Sequence, residues 1–123
     1  MEPYLGLNSR EKRRHPRLNS RIPVSYRKLE TDAAVFKGSL MQDISESGAR
    51  ITINEFLPLD SKLSLQIHLA SGRSFAQGAC RVAWVRKAAF SEQYHIGVEF
   101  AAFSQEDEAQ IARFILHNSI ETI

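Results

Sequence analysis

The stretch Leu63-Ser64-Leu65-Gln66-Ile67-His68-Leu69 decides the fold. Its apolar side chains occupy every second position, and polar ones fill the gaps. Successive side chains of an extended chain point to opposite faces. The stretch therefore predicts a strand with one buried and one wet face, as in antiparallel sheet. Working outward, Ser71-Gly72 is a turn signal. Phe75 to Arg86 reads as a long extended stretch, with Val82 and Trp84 as core candidates, and Tyr94, Ile96, Val98 and Phe100 form a last alternating set. On the N-terminal side, Ala49, Ile51 and Ile53 alternate with Arg50, Thr52 and Asn54. A further extended run covers Val35 to Ile44, and Ile22, Val24 and Tyr26 share one face. About six strands with short turns predict a mainly β fold, a six-stranded antiparallel barrel, closed or nearly so.

The period changes after Phe100. Ser104-Gln105-Glu106-Asp107 resembles a capping box with acids in the first turn, and Ile111, Phe114 and Ile115 follow at helical spacing. One amphipathic helix over residues 104–118 is predicted, its apolar stripe forming a lid on the barrel. The expected organisation is a flexible segment 1–9, a single domain 10–118 made of an arm (10–21), a barrel (22–100) and the helix, and a tail 119–123.

The chain has 123 residues, 43% apolar and 24% charged, an ordinary globular mix. No apolar run is long enough to span a bilayer and residues 1–14 lack an apolar signal core, so a cytoplasmic location without membrane insertion is expected. The single cysteine, Cys80, excludes an internal disulfide framework and a multi-thiolate zinc site. The net charge of +2 conceals a split. Residues 10–28 hold eight basic residues and one acid, a net +7, against eight basic and thirteen acidic residues elsewhere, a net −5. A basic arm on a mildly acidic body suits an anionic partner: nucleic acid, a membrane surface or a phosphate-bearing small molecule.

Nothing in the sequence calls for an enzyme. The histidines His15, His68, His95 and His117 lack metal-ligand spacing, so no metal and no cofactor are expected. No nucleophile elbow, Walker loop or dinucleotide fingerprint occurs. Cys80 lies mid-strand without an activating base nearby in sequence and reads as a buried or half-buried thiol.

Two segments carry chemistry. Lys12-Arg13-Arg14-His15-Pro16-Arg17 offers several guanidinium forks, suited to phosphate oxygens and to the O6/N7 edge of guanine. In Asp43-Ile44-Ser45-Glu46-Ser47-Gly48, extended geometry puts Asp43 and Ser45 on one side and Ile44 in the core. Gly48 supplies either a positive φ or room for close backbone approach. Read alone, this second segment is more simply a polar hairpin connection.

Together and in this order, Arg-Arg-His-Pro-Arg and Asp-Ile-Ser-Glu-Ser-Gly-Ala-Arg resemble the PilZ domain family of bacterial cyclic di-GMP receptors. Arg13 and Arg17 match the family's RxxxR signature, with Arg14 as a frequent extra arginine. Asp43, Ser45 and Gly48 match its [D/N]xSxxG signature, and Val82-Ala83-Trp84 and Tyr94 to Phe100 look like its last strands. The resemblance covers residues 10–116. It implies a PilZ-like barrel that binds cyclic di-GMP, with Arg13, Arg14 and Arg17 on phosphates and guanine edges. It also implies that Asp43 accepts from guanine N1 and N2, Ser45 adds a hydroxyl contact and Gly48 leaves space for the ligand. Lys12, Arg50 and Trp84 form a second tier: Lys12 bears on ligand stoichiometry, Arg50 faces ligand or solvent, and Trp84 stacks on a base or packs in the barrel. The expected mechanism is ordering of the arm against the barrel by the ligand, which changes the surface offered to a downstream protein in motility or biofilm pathways. The alternatives are a single-stranded nucleic-acid-binding barrel, disfavoured because the aromatics are dispersed, and a PilZ-like adaptor without ligand.

Overall fold

The computed structural model describes residues 18–30, 35–69 and 75–121. Six strands form a closed, wholly antiparallel barrel: β1 (Leu18–Lys28), β2 (Lys37–Ile44), β3 (Gly48–Ile53), β4 (Lys62–His68), β5 (Phe75–Lys87) and β6 (Tyr94–Phe103). They are ordered β1-β2-β3-β6-β5-β4 around the wall, with β4 pairing back onto β1. Closure leaves no free sheet edge to be capped. Leu63, Leu65 and Ile67 point inward and are wholly buried, together with Val24, Met41, Ile44, Ile51, Ile53, Val82 and Ile96. The barrel starts earlier and ends later than the alternation alone marks. Leu18 pairs with Ile44 and Gly78 with Phe103, so residues 18–21 belong to the first strand.

One core expectation fails. Val82 is fully buried, but Trp84, two residues on, is 40% exposed on the outer wall. The cause is a bulge: Val82 pairs with Val98 while Trp84 pairs with Gly97, so Ala83 is an extra residue in β5. One extra residue reverses the side-chain parity beyond it. The same device acts in β2. Met41 pairs with Ile51 and Asp43 with Arg50, leaving Gln42 as the extra residue. Without it Asp43 would share the inward face of Met41. With it, Ile44 takes the core position and Asp43 turns outward.

Helix α1 (Gln105–Glu121) closes one end of the barrel through Ile111 and Ile115, both buried, packing on β5 and β1. Ser104 is its cap: the Asp107 amide donates to Ser104 Oγ at 3.1 Å. The capping box is only half formed. The Asp107 carboxylate accepts instead from the Gln77 amide of β5 (3.2 Å) and from Gln110 Nε2 (3.1 Å), so it pins the helix to the sheet. Ser104→Ala is expected to cost about 1 kcal/mol of stability, read as a lower urea midpoint with an unchanged slope.

At the other end, the β3–β4 connection is tied down by Glu55. Its Oε2 accepts from Tyr26 Oη (2.5 Å) and Lys37 Nζ (2.8 Å), and Lys28 Nζ lies 3.6 Å from Oε1. Burial opposes the charged form of Glu55, but the hydrogen bonds from Lys37 and Tyr26 and the charges of Lys37 and Lys28 outweigh it and hold its pKa below the ordinary value. A lowered carboxyl pKa stabilises the fold above the unfolded-state value and is lost as pH falls through the folded one. The stability advantage of wild type over Glu55→Gln is therefore expected at pH 7 and should shrink below about pH 4.5, as followed by thermal melts across the acid range.

Candidate functional site

The outward turn of Asp43 sets up a row across the outer wall. Asn19, Asp43, Arg50, Gly97 and Trp84 are successive cross-strand partners on β1, β2, β3, β6 and β5. From Asp43 to Trp84 the row floors an open groove of about 680 Å³, lined also by Ser47, Gly48, Ala83 and Glu99. Three kinds of chemistry follow one another along it: an acceptor, a cation and an aromatic plane.

Asp43 is only 5% exposed. Arg50 Nε lies 3.3 Å from Asp43 Oδ2, an ion pair. That nitrogen is buried and makes no hydrogen bond among the described residues, whereas the guanidinium as a whole is well exposed. A buried donor held near an acceptor without hydrogen-bond geometry is a group still to be satisfied. At the far end of the row, the Trp84 ring lies against Gly97. A β-carbon on Gly97 would sit 2.0 Å from Trp84 Nε1, so only glycine admits the ring there. Arg86 places its guanidinium 5.8 Å from the centre of the indole, a cation–π contact. Glu99, on the rim, is held by Arg81 Nη2 at 2.5 Å, and Arg81 Nη1 reaches Asp60 at 2.5 Å.

The Ser45–Gly48 segment is the turn between β2 and β3. Ser45 N donates to the Gly48 carbonyl (2.8 Å). Ser45 Oγ accepts from the Ser47 amide (3.3 Å) and donates to the Gly48 carbonyl (3.3 Å). The buried Ser45 hydroxyl thus closes the turn, and the hydroxyl that lines the groove belongs to Ser47. Gly48 answers its open alternative in favour of close approach: a β-carbon there would lie 2.3 Å from the Val98 carbonyl oxygen of β6. Its space is taken by backbone.

The structure thus brings together Asp43, Gly48, Arg50 and Trp84 of the residues singled out in the sequence, with Ser45 directly beneath them. Lys12, Arg13, Arg14 and Arg17 lie outside the described residues. Sequence reading missed Ser47, Gly97 and Glu99, because their relation to Asp43 is a matter of strand register rather than of spacing. The remaining chemistry is quiet. Cys80 is buried, which pushes its thiol pKa up to about 12 and makes it a poor nucleophile. His95 faces outward against the Thr52 hydroxyl (3.1 Å), and His68 against the Phe75 ring. Among the described residues no cluster of three potential metal ligands occurs, and no helix is long and apolar enough to cross a membrane.

Comparison with solved structures finds this barrel repeatedly. The Bacillus subtilis inhibitor of motility MotI/DgrA matches with a TM-score of 0.75 at 15% identity, over 91% of this chain and 53% of that one. The PilZ domain of Escherichia coli YcgR, solved with c-di-GMP, matches at 0.67 and 14%, over 90% and 94%. The K. pneumonia MrkH–c-di-GMP complex matches at 0.68 and 21%, over 89% and 53%. At such identities the likeness is one of fold, and the chain spans about half the length of MotI/DgrA and of MrkH. No curated protein sequence matches the chain. The PilZ domain profile, however, matches residues 11–117, nearly the whole length. With both signatures present in the sequence and a closed six-stranded barrel formed by the described residues, the chain belongs to the PilZ domain family.

Proposed function

We propose that this protein is a receptor for cyclic di-GMP, gripped between the arginine-rich segment 12–17 and the outer-wall row that starts at Asp43. The observation that carries the reading is where β1 begins. Leu18 pairs with Ile44 and Asn19 with Asp43, so the chain following Arg17 enters the sheet beside the buried acid. A carboxylate contributes nothing to a surface that only seeks phosphate, but it is the natural acceptor for guanine N1 and N2 donors. In this reading Arg13, Arg14 and Arg17 hold phosphates and guanine edges, with Lys12 as a further phosphate contact. Asp43 reads a base, and Arg50, with its unsatisfied Nε, receives a phosphate or a base edge. Trp84 offers an aromatic face for stacking. Ser45 and Gly48 act from below, by fixing the turn that aims Asp43.

Ligand binding then neutralises a segment of dense positive charge and docks it on the barrel, an ordering step that changes the surface presented to a protein partner. That YcgR and MrkH were solved with c-di-GMP on the same fold supports the reading. Titration calorimetry with cyclic di-GMP in moderate salt tests it. Saturable heat with micromolar protein is expected, and absence of heat at excess ligand overturns it. Arg113, exposed on α1 and away from the groove, gives the control: Arg113→Ala should bind as wild type does.

A further inference from the structure

The end of the barrel opposite the Ser45–Gly48 turn carries apolar surface that the ligand reading does not use. Three connections meet there. The registers Tyr26–Lys37, Ile53–Tyr94 and Lys87–Tyr94 place the end of β1, the start of β2, the end of β3 and the β5–β6 hairpin together. Of the nine large apolar side chains exposed among the described residues, five lie at this end: Leu29, Val35, Phe56, Leu59 and Phe90. Phe56 packs edge-on against Tyr94 at 5.7 Å, giving an apolar shelf beside the hairpin.

Phe90 is the most exposed of them, fully open to solvent at the hairpin tip. Its φ is 58°, in the left-handed region that bulky side chains avoid. The hairpin is otherwise orderly: the Ala88 amide donates to the Gln93 carbonyl (2.9 Å), and the Gln93 amide to Ser91 Oγ (3.0 Å). Glycine or asparagine suits such a tip at no steric cost. A phenylalanine that is both strained and solvated serves neither folding nor solubility, so its use lies in what it touches outside the chain.

The charges at this end choose the occupant. Arg86 and Lys87 precede Phe90 and Glu92 follows it in the hairpin, while in the neighbouring connections Glu55 takes both Lys28 and Lys37, Arg81 holds Asp60, and Glu30 and Lys62 add one charge of each sign. A bilayer of anionic lipid would meet those acids as repulsion. A surface with both signs interspersed around an apolar centre is complementary to itself about a two-fold axis, where Lys87 of one copy meets Glu92 of the other. We propose that this end of the barrel is a self-association face, on which Phe90 of each copy seats against the Phe56–Tyr94 shelf of its partner. The proposal is independent of ligand binding.

Sedimentation velocity on the ligand-free full chain, from low micromolar to near-millimolar concentration, tests it. Wild type is expected to shift reversibly from monomer to dimer, and Phe90→Gly to stay monomeric while melting no lower, since glycine relieves the backbone. Lys87→Glu should weaken the dimer, and Lys87→Glu combined with Glu92→Lys in one chain should restore it. A wild-type monomer across the whole range overturns the proposal, as does a dimer indifferent to Phe90→Gly. Monomeric wild type that co-sediments with phosphatidylglycerol vesicles through Phe90 overturns it in favour of a bilayer.

Discussion

Asp43→Ala is expected to weaken cyclic di-GMP binding by about tenfold to a hundredfold, the equivalent of one lost charge-assisted interaction of roughly 1.5–3 kcal/mol. The carboxylate is buried at the floor of the groove, where water competes poorly for its lone pairs. The fold should survive. Its ion-pair partner Arg50 has a side chain that reaches solvent and can stay hydrated without the acid. Asp43→Asn separates charge from shape. The amide fills the same space and keeps one carbonyl acceptor, but it loses the charge and replaces the second acceptor by an NH2 donor, so it should bind between wild type and the alanine variant. Arg17→Ala is expected to lose affinity to a similar degree. Calorimetry of the three variants beside wild type decides the matter, with urea midpoints to show that each is folded. Unchanged affinity in Asp43→Ala would remove the base-reading role and leave only an anion site.

Gly48→Ala is expected to destabilise the barrel itself, by about 1–3 kcal/mol. The obstacle is the Val98 carbonyl, a backbone atom 2.3 Å from the added carbon, so β3 and β6 must separate where they pair. Gly38→Ala is the control, because a β-carbon there meets nothing within 4 Å, and its stability should match or slightly exceed wild type. Urea unfolding of the two variants tests the contrast. If Gly48→Ala unfolds like wild type and only its affinity falls, the glycine serves the ligand rather than the sheet. Gly97→Ala falls between them. Its neighbour is the Trp84 ring, a side chain that can swing away, so it should shift the emission of this sole tryptophan more than the urea midpoint.

The barrel was legible because its wall has only two sides. Alternation at Leu63, Leu65 and Ile67 or at Ala49, Ile51 and Ile53 declares which side faces inward, and every one of these residues is buried. The helix was legible for a similar reason: Ile111 and Ile115 follow a serine that caps it. Alternation misleads only where a bulge intervenes. Counting by twos from Val82 puts Trp84 in the core, and the extra residue Ala83 puts it on the outer wall instead. A bulge costs one residue and leaves no strong mark in composition, so it is visible only when both strands and their hydrogen bonds are in place.

The site divides along the same line. By itself the sequence determined the two signatures, the charge split between residues 10–28 and the rest, and the mainly β class. These depend on residue identity and on spacing within one segment, which the chain carries without reference to any other part. Only the tertiary structure decided that Asp43 faces outward, that Arg50, Gly97 and Trp84 continue its row, and that Ser45 and Gly48 build the turn beneath it. Those facts depend on register between strands that are distant in sequence. Register follows from which bulges let every apolar face reach one shared core, and that condition is met by the closed barrel as a whole.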